Sequence, residues 1–214
     1  EIQSEFKGLN LVGHKSEEDF FQKQILDSVL PFFQLPMLFK STHEAKCIVD
    51  IGFGGGFPLL PLAHLFPQAQ FLGVESIQKK AFAVQRLADL LHLSNVSILP
   101  ERVEAVLFDE QCLILFKAVG DVGLLNKLNF TIKPKVYFYK GANFYQKEKN
   151  ELMNVQKKWN IIEEREIVYE GVVGRMAIGF SPKDDLFHVE QTVVRQKMHR
   201  ISQVIKKVGV WRQK

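Results

Sequence analysis

The stretch that decides the fold is Asp50-Ile51-Gly52-Phe53-Gly54-Gly55-Gly56-Phe57-Pro58. It follows the apolar run Cys47-Ile48-Val49, which predicts a buried strand, and it opens a helical pattern over residues 58–66. Glycines let the backbone turn sharply and let a ligand approach main-chain N–H groups. A glycine loop between a buried strand and a helix is typical of α/β proteins that bind ligands at the carboxyl ends of their strands.

The spacing of the glycines narrows the class of ligand. A P-loop ends in Gly-Lys followed by Ser or Thr, whereas this loop ends in Gly56-Phe57-Pro58. A dinucleotide fingerprint needs a small residue at position 57 or 59, and the chain has Phe57 and Leu59 there. Nucleoside triphosphate chemistry is therefore disfavoured. A nicotinamide or other nucleotide, and a tight turn without a ligand, stay open as alternatives.

Two acidic residues frame the loop. Asp50 ends the first predicted strand, and Glu75 closes the second, over residues 71–74, 25 residues later. The Glu75 carboxylate can accept both hydrogen bonds of a ribose diol, and Asp50 can anchor the loop or meet an ammonium group. An acid, a G-x-G-x-G loop and a second acid suit S-adenosylmethionine in class I methyltransferases, and the sequence favours that ligand.

The rest of the chain alternates apolar runs with helical patterns, which predicts βαβ units. Strands are predicted at 96–99, 112–116 and 136–139, and helices at 78–91, 119–128 and 144–159. Two further strands, at 161–169 and 175–180, should end the sheet in an antiparallel arrangement. The expected fold is α/β, a Rossmann-like class I methyltransferase with a mainly parallel, doubly wound sheet. Phe82, Leu87 and Leu90 are core candidates of the helix at 78–91.

Two helical segments flank this core in the prediction. An N-terminal helix begins at the capping residue Ser16, with acidic residues in its first turn, and runs to Leu30 before Pro31. The C-terminal segment has an apolar stripe at helical spacing, made of Val194, Met198, Ile201, Ile205 and Val208. We therefore predict an N-terminal helical segment at 1–45, a cofactor-binding core at 46–181 and a basic helical extension at 182–214.

Charge is distributed unevenly along the chain. The protein has 28 Lys and Arg against 24 Asp and Glu, a formal net charge of +4. Seven of the basic residues and none of the acidic ones lie at 195–214, so the first 194 residues carry a net charge of −3. A basic segment on a slightly acidic body favours a polyanionic partner. The cations beside the apolar stripe are Arg195, Lys197, Arg200, Lys206 and Lys207.

Other features exclude several classes of protein. Cys47 and Cys112 lie in apolar runs, which is typical of buried thiols in a reducing compartment, and the six His form no zinc motif. No apolar run reaches the length of a membrane span, and the first residues do not have the pattern of a signal peptide, so we expect none. We expect a cytoplasmic protein with no metal and no membrane contact, and we favour a monomer.

From about Leu9 to Phe180 the sequence resembles the glucose-inhibited division protein B family, methyltransferases that modify N7 of a guanine in small-subunit ribosomal RNA. The matching segments occur in order. Besides the glycine loop they are Asn10-Leu11, Leu26-Asp27-Ser28, Ser76 with Lys79-Lys80, Arg102-Val103-Glu104, Lys117-Ala118-Val119 and Lys140-Gly141.

The resemblance implies S-adenosylmethionine as the cofactor and small-subunit rRNA or a ribosomal particle as the partner. It places Glu75 at the ribose, Val103 and Glu104 at the adenine, and Lys117 near the sulfonium end or the substrate. The full expected cofactor set is Asp50, Gly52, Gly54, Gly56, Phe57, Glu75, Ser76, Arg102, Val103, Glu104 and Lys117. For the substrate, we expect Lys140 and Lys23 to contact phosphate or O6 of the guanine, and Asn10 and Asp27 to hold its Watson–Crick edge. A structural role, with Asp27 capping or pairing locally in its helix, stays open as the alternative for these last two residues.

The sequence departs from the family at several positions. The family commonly has Asp at 75, Thr at 53, Leu at 57 and Arg at 117, and it has Arg-His where this chain has Lys23-Gln24. Lys retains the charge of Arg but not its planar bidentate geometry. An alternative is therefore a protein of the same fold that binds the cofactor or RNA without efficient methyl transfer.

Overall fold

The computed structural model describes Gly13 and residues 16–169, 172–184 and 198–205. The strands of this part of the chain are β1 (Cys47–Ile51), β2 (Phe71–Val74), β3 (Val96–Leu99), β4 (Val106–Phe108), β5 (Cys112–Lys117), β6 (Asn129–Phe130), β7 (Lys135–Gly141), β8 (Trp159–Tyr169), β9 (Val172–Pro182) and β10 (His199–Arg200).

Seven strands form the central sheet in the order β3-β2-β1-β5-β7-β9-β8. The strands from β3 to β7 pair in parallel, and β9 runs antiparallel to both β7 and β8. This confirms the mainly parallel, doubly wound sheet with an antiparallel end. The chain builds outward from β1 to β3 and then returns to β5, so the strand order reverses between β1 and β5, where ligands bind in such sheets.

The helices are shorter and more broken than the sequence pattern predicts. They span Glu17–Phe20, Asp27–Gln34, Pro36–Glu44, Leu59–Leu65, Gln78–Leu90, Phe144–Lys147 and Lys149–Val155, with a π-helix at Phe21–Leu26 and 3-10 helices at Val103–Ala105 and Val122–Lys127.

The start of the N-terminal helix is confirmed, because the Ser16 hydroxyl oxygen accepts a 3.1 Å hydrogen bond from the N–H of Asp19. The predicted stop at Pro31 is wrong. Pro31 lies buried inside the Asp27–Gln34 helix, where its ring removes one backbone donor and packs into the interior. The helix ends at Gln34, and Leu35 is extended because Pro36 disfavours a helical conformation in the residue before it.

Successive residues of the strands point to opposite faces of the sheet, and each face has its own apolar core. The front face, which includes Ile48, Leu113, Leu115, Tyr137 and Tyr139, packs against Phe32, Leu35 and Leu38 of the N-terminal helices. The back face, which includes Val49, Ile114, Phe116, Val136 and Phe138, packs against Phe144 and Leu152. The N-terminal helical segment is thus part of the body on the front face.

The prediction that Phe82 and Leu90 lie in the core is wrong. Phe82 and Leu90 are 65% and 47% exposed, whereas the Gln78–Leu90 helix buries Ala81, Val84 and Ala88. Small residues at this spacing let the helix lie close to the sheet and turn the larger side chains outward. Leu87 does pack against the front-face core.

Two predicted helices also differ from the structure. The helix expected at 144–159 is broken at Glu148, and Trp159 already begins β8. The helix expected at 119–128 is a 3-10 helix that starts only at Val122, after a loop at residues 118–121.

The predicted C-terminal helix is wrong at His199 and Arg200. These residues pair in parallel with β4, which also pairs with β6, so that they complete a second, three-stranded sheet. Main-chain bonding to β4 replaces the helix there, and a helix begins at Ile201. Its first turn is held by Asp109, whose carboxylate accepts hydrogen bonds from the N–H (2.9 Å) and hydroxyl (2.6 Å) of Ser202.

Ile201 is fully buried in the back-face core, as the apolar stripe predicts. Two residues of the stripe, Val194 and Val208, lie outside the described residues. So do four of the cations, Arg195, Lys197, Lys206 and Lys207. The division of the chain at 45/46 and 181/182 stays a prediction. No helix in the described ranges is long and apolar enough to cross a membrane. Those ranges also hold no cluster of three His, Cys, Asp or Glu side chains that could bind a metal ion.

Candidate active site

Four of the predicted site residues gather at the carboxyl edge of the sheet. Asp50 lies near the end of β1, Glu75 follows β2, Lys117 ends β5 and Lys140 lies near the end of β7. Because these strands are parallel and adjacent, their last residues share one edge. The sequence order alone does not say which partners each side chain has there.

The glycine loop is packed at one position and open at another. Gly52 and Gly54 have positive φ angles of 69° and 56°, which L side chains rarely adopt. A Cβ on Gly52 would stand 2.6 Å from a methyl carbon of Val119, so no side chain fits. At Gly54 the nearest atom to a Cβ is the Gly52 carbonyl oxygen at 4.0 Å. A ligand can therefore approach the backbone at Gly54.

Asp50 anchors the end of this loop. Its Oδ2 accepts a 2.9 Å hydrogen bond from the N–H of Leu59, the first residue of the next helix. The side chain is 1% exposed, and Oδ1 has no hydrogen-bond partner among the described residues. Burial raises the pKa of Asp50 to about 7, against the opposing effects of the Leu59 bond and the nearby Lys117 ammonium.

Glu75 lies against the glycine loop. Its Oε2 accepts a hydrogen bond from the N–H of Gly54 (3.3 Å), and its Oε1 accepts one from the N–H of Ile77 (2.9 Å). A carboxylate has about four acceptor positions, so both oxygens can still accept from a hydroxyl group. Glu75 thus keeps acceptor positions that would suit the two hydroxyl groups of a ribose.

The expected adenine segment follows β3. Val103 is 7% exposed, whereas Arg102 and Glu104 are exposed, and Glu104 forms an ion pair of 3.2 Å with Lys127. Ser76 is also exposed. Val103 therefore belongs to the back-face core, with exposed polar residues on either side of it in the chain.

These features fit S-adenosylmethionine. The open backbone at Gly54 accommodates a ligand, Glu75 suits two hydroxyl groups, and the unpartnered Oδ1 of Asp50 suits a positively charged group. We therefore find no conflict between the residues present and this cofactor.

Lys117 is buried in an ionic cluster on the front face. Its Nζ lies 3.2 Å from Oδ2 of Asp27 and donates to the carbonyl of Lys23 at 3.4 Å, and Arg175 Nε lies 2.8 Å from Oδ1 of Asp27. Burial lowers the pKa of Lys117, and the Asp27 carboxylate opposes that effect. The cluster fastens the N-terminal helical segment to β5 and β9.

Phe57 connects the same segment to the glycine loop. Its ring is half-buried, meets Phe20 edge-on at 5.6 Å between centroids, and lies 6.0 Å from the Lys117 ammonium. Lys23 contributes its carbonyl to Lys117, while its own ammonium pairs with Asp19 and is largely exposed. Asn10 lies outside the described residues.

Lys140 belongs to the other face of the sheet. It follows Val136 and Phe138 in the alternation of β7, and its Nζ lies 4.9 Å from the Phe138 ring centroid. The ammonium donates to the carbonyl of Gly120 at 2.8 Å and pairs with Oε1 of Glu148 at 2.9 Å. Lys117 and Lys140 therefore do not form one cationic group.

The partners of these lysines are what sequence reasoning missed. Asp27 carried a signal, because it is a charged residue within the apolar run Ile25-Leu26-Asp27-Ser28-Val29. Arg175 carried a weaker one, as a charged residue that alternates with Ala177 and Gly179 in a strand. Glu148 stands in Lys147-Glu148-Lys149, which looks like an ordinary solvated helix surface.

Comparison with known proteins agrees with this geometry. Residues 1–174 match the GidB family model, described as rRNA small subunit methyltransferase G. The ribosomal RNA small subunit methyltransferase G of Petrotoga mobilis is 35% identical over 76% of this chain and 73% of its own length. The protein of the same name from Brachyspira hyodysenteriae is 35% identical over 72% of this chain and 74% of its own.

Solved structures show the fold. Magnesium protoporphyrin IX methyltransferase from Synechocystis PCC 6803, solved with bound SAM, aligns with a TM-score of 0.55 at 12% identity, over 84% of this chain and 90% of its own. Mitomycin 7-O-methyltransferase aligns with a TM-score of 0.51 at 14% identity, over 68% and 54%. Because the family model matches residues 1–174 and the relatives carry the same name, this chain belongs to the rRNA small subunit methyltransferase G family and is an S-adenosylmethionine-dependent methyltransferase.

Proposed function

We propose that this chain transfers the methyl group of S-adenosylmethionine to N7 of a guanine in small-subunit rRNA. The observation that carries the proposal is the contact between the Glu75 carboxylate and the N–H of Gly54, beside an open stretch of backbone at the carboxyl edge. Membership of the rRNA small subunit methyltransferase G family supports the choice of substrate.

In this proposal the cofactor is held by the carboxyl ends of β1 to β3. Glu75 binds the ribose hydroxyls, and the backbone of Gly52, Gly54 and Gly56 with Phe57 lines the methionyl side. Val103 packs on the adenine, with Ser76, Arg102 and Glu104 around it. When bound, the cofactor supplies an electrophilic methyl group on a sulfonium. Asp50 and Lys117, near the ends of β1 and β5, supply the charged side chains next to the bound cofactor.

The chemistry at guanine N7 needs orientation more than proton transfer. N7 has a lone pair and carries no proton, so no side chain has to act as a base on the reacting atom. The protein must place N7 in line with the methyl group, within about 3 to 3.5 Å, and exclude water. Rigid positioning of the loops that follow β1, β5 and β7 meets that need.

On the substrate side, Lys140 can contact O6 of the guanine or a phosphate. An ammonium group has three donors, and the Gly120 and Glu148 contacts use two of them. Lys23 is exposed enough to reach a phosphate, and we assign Asn10 to the Watson–Crick edge. The half-buried ring of Phe57 is available for stacking on a base.

The internal pairing of the lysines favours a second candidate, a protein that binds the cofactor or RNA without efficient transfer. Lys117 and Lys140 both have carboxylate partners within the protein. If those pairs do not rearrange when RNA binds, the substrate meets little free positive charge at the edge.

A labelling experiment tests the two candidates. The protein is incubated with methyl-labelled S-adenosylmethionine and with small ribosomal subunits from cells that lack this methyltransferase. We expect label in the rRNA at a site that borohydride and aniline cleave, since methylation at N7 makes the guanine ring susceptible to that cleavage. Cofactor binding without label would favour the second candidate, and label without cleavage would place the methyl group on another atom.

We further propose that basic residues after position 194 bind the rRNA backbone, and that the protein works as a cytoplasmic monomer. Buried free thiols at Cys47 and Cys112 suit a reducing compartment. Arg200 is 43% exposed at the side chain and lies 4.0 Å from Asp109. The other members of this basic surface are Arg195, Lys197, Lys206 and Lys207.

Salt dependence measures that contribution. Deleting residues 195–214 would also remove Ile201 from the core, so substitution by Gln at 195, 197, 206 and 207 is the better test. Each lost phosphate contact should lower the slope of log K against log salt by about 0.7 to 0.9. Gln at Lys46, Lys135, Lys157 and Lys158, at the amino edge of the sheet, should leave the slope unchanged. Equal slopes for both variants would overturn the assignment.

A further inference from the structure

The loop at residues 118–121 forms one wall of the glycine loop. Val119 packs against Gly52 so closely that a Cβ there would lie 2.6 Å from its methyl carbon. Ala118 and Gly120 both have positive φ angles, of 57° and 50°. A non-glycine residue in this conformation is strained, and it persists only where the surroundings hold it. The wall therefore depends on contacts outside the loop.

Two hydrogen bonds hold the loop, and they meet at one carboxylate. Lys140 Nζ donates to the carbonyl of Gly120 at 2.8 Å, and the N–H of Val122 donates to Oε2 of Glu148 at 2.9 Å. Oε1 of the same Glu148 lies 2.9 Å from Lys140 Nζ. Lys140 and Glu148 are 7% and 18% exposed at the side chain, so water competes poorly for these contacts.

The break between two short helices places Glu148 in this position. It caps the C-terminus of the Phe144–Lys147 helix and precedes the Lys149–Val155 helix, with φ −116° and ψ 28°. Phe144 and Leu152, one on each side of the break, are buried in the back-face core. The break is thus fixed by packing, and the carboxylate is turned toward the end of β7.

We infer that Glu148 is a positioning residue for methyl transfer: it orients the Lys140 ammonium and fixes the loop at residues 118–121 against the glycine loop. The inference rests on the proposed function, in which Lys140 contacts the substrate. Glu148 itself touches neither substrate nor cofactor. It acts through Lys140 and through the backbone at Val122.

Glu148→Gln is the discriminating substitution. The amide keeps the size of the side chain but replaces one carboxylate oxygen by an NH2 donor. Val122 and Lys140 each face a different oxygen, so one of these two donors would meet another donor. We expect kcat to fall by roughly 10- to 100-fold, as small misplacements of reacting groups do, with the affinity for S-adenosylhomocysteine within about 3-fold. Glu151→Gln removes the same charge one turn further along the helix and should leave kcat within about 2-fold.

A double substitution separates positioning from a general structural role. Because Glu148 acts partly through Lys140, Glu148→Gln should lower kcat by a smaller factor in a Lys140→Ala background than in the unmodified protein, with the Val122 contact responsible for the rest. A loss of the same size in both backgrounds, or an unchanged kcat for Glu148→Gln, would overturn the inference.

Hydrogen exchange tests the loop independently of turnover. The Val122 amide should exchange at least about 10-fold faster in Glu148→Ala, whose side chain has no acceptor, than in the unmodified protein or in Glu151→Ala. Unchanged exchange would contradict the inference even in an active enzyme. An inactive unmodified protein would instead count against the proposed function, while the exchange result would still decide whether Glu148 holds the loop.

Discussion

Along the carboxyl edge, the β1–β2 half presents carboxylates to backbone N–H groups, whereas the β5–β7 half presents ammonium groups to carboxylates of the helical segments. Asp50 accepts from the N–H of Leu59, nine residues away. Glu75 accepts from the N–H groups of Gly54 and Ile77, which are 21 and 2 residues away. The lysines pair with Asp27 and Glu148. The first half uses main-chain donors of the glycine loop and of Ile77, whereas the second depends on how the helices that carry Asp27 and Glu148 pack against the sheet.

The largest effect should follow from breaking the front-face ionic cluster. Asp27→Asn leaves the buried Lys117 and the partly buried Arg175 without their counter-charge, and removal of one partner from a buried pair costs about 3 to 5 kcal/mol of unfolding free energy. Urea denaturation measures the loss. Glu110→Gln, which breaks the more exposed pair with Lys46, should cost less than about 1 kcal/mol. Similar losses for the two variants would show that the cluster contributes no special stability.

An intermediate effect is expected at Glu75. Glu75→Gln removes the charge-assisted hydrogen bonds to the ribose, worth about 1.5 to 3 kcal/mol, so the Kd for S-adenosylhomocysteine should rise roughly 10- to 100-fold. Glu101→Gln, at the end of the neighbouring strand β3, should change it less than about 2-fold. Isothermal calorimetry measures both. An unchanged Kd for Glu75→Gln would contradict the assignment of Glu75 to the ribose hydroxyl groups.

The smallest effect concerns pH. Because the pKa of Asp50 is raised to about 7, the carboxyl is mostly neutral at pH 6 and mostly ionised at pH 8. A cationic ligand favours the ionised form, so affinity for S-adenosylmethionine should rise about 10-fold over that range. The amino group of the ligand titrates equally in all variants, so the comparison is with Asp50→Asn. That variant should lack the Asp50 contribution, and matching pH profiles would exclude Asp50 from cofactor binding.

The sequence predicted the acid half of the edge because its determinants are local. Alternating apolar runs specify the strands, glycines at 52 and 54 specify the turn, and the acids follow their strands directly. The same reasoning located Lys117 and Lys140 at the edge. Their partners could not be predicted, since Asp27, Arg175 and Glu148 meet them only through helix packing and strand pairing.

The predictions of which helix face is buried and of a helix at residues 199–200 were wrong for a related reason. Phe82 and Leu90 were expected in the core because they are apolar and well spaced, but the helix instead buries four smaller side chains, Ala81, Ala83, Val84 and Ala88. His199 and Arg200 were expected in a helix, and pairing with β4 overrode that pattern. Tertiary contacts thus outweighed periodicity wherever the two competed.

Ile201 has a consequence for how the protein is made. Among the residues that the structure describes, it comes last in sequence in the buried back-face core, whose other buried members lie between Cys47 and Phe180. Synthesis proceeds from the N-terminus, so the sheet can assemble while the chain still lacks this residue. Until Ile201 is added, the interior keeps a hole whose cost is about 2 to 5 kcal/mol. The ribosome must therefore extend the chain beyond the whole methyltransferase sheet before the enzyme reaches its full stability.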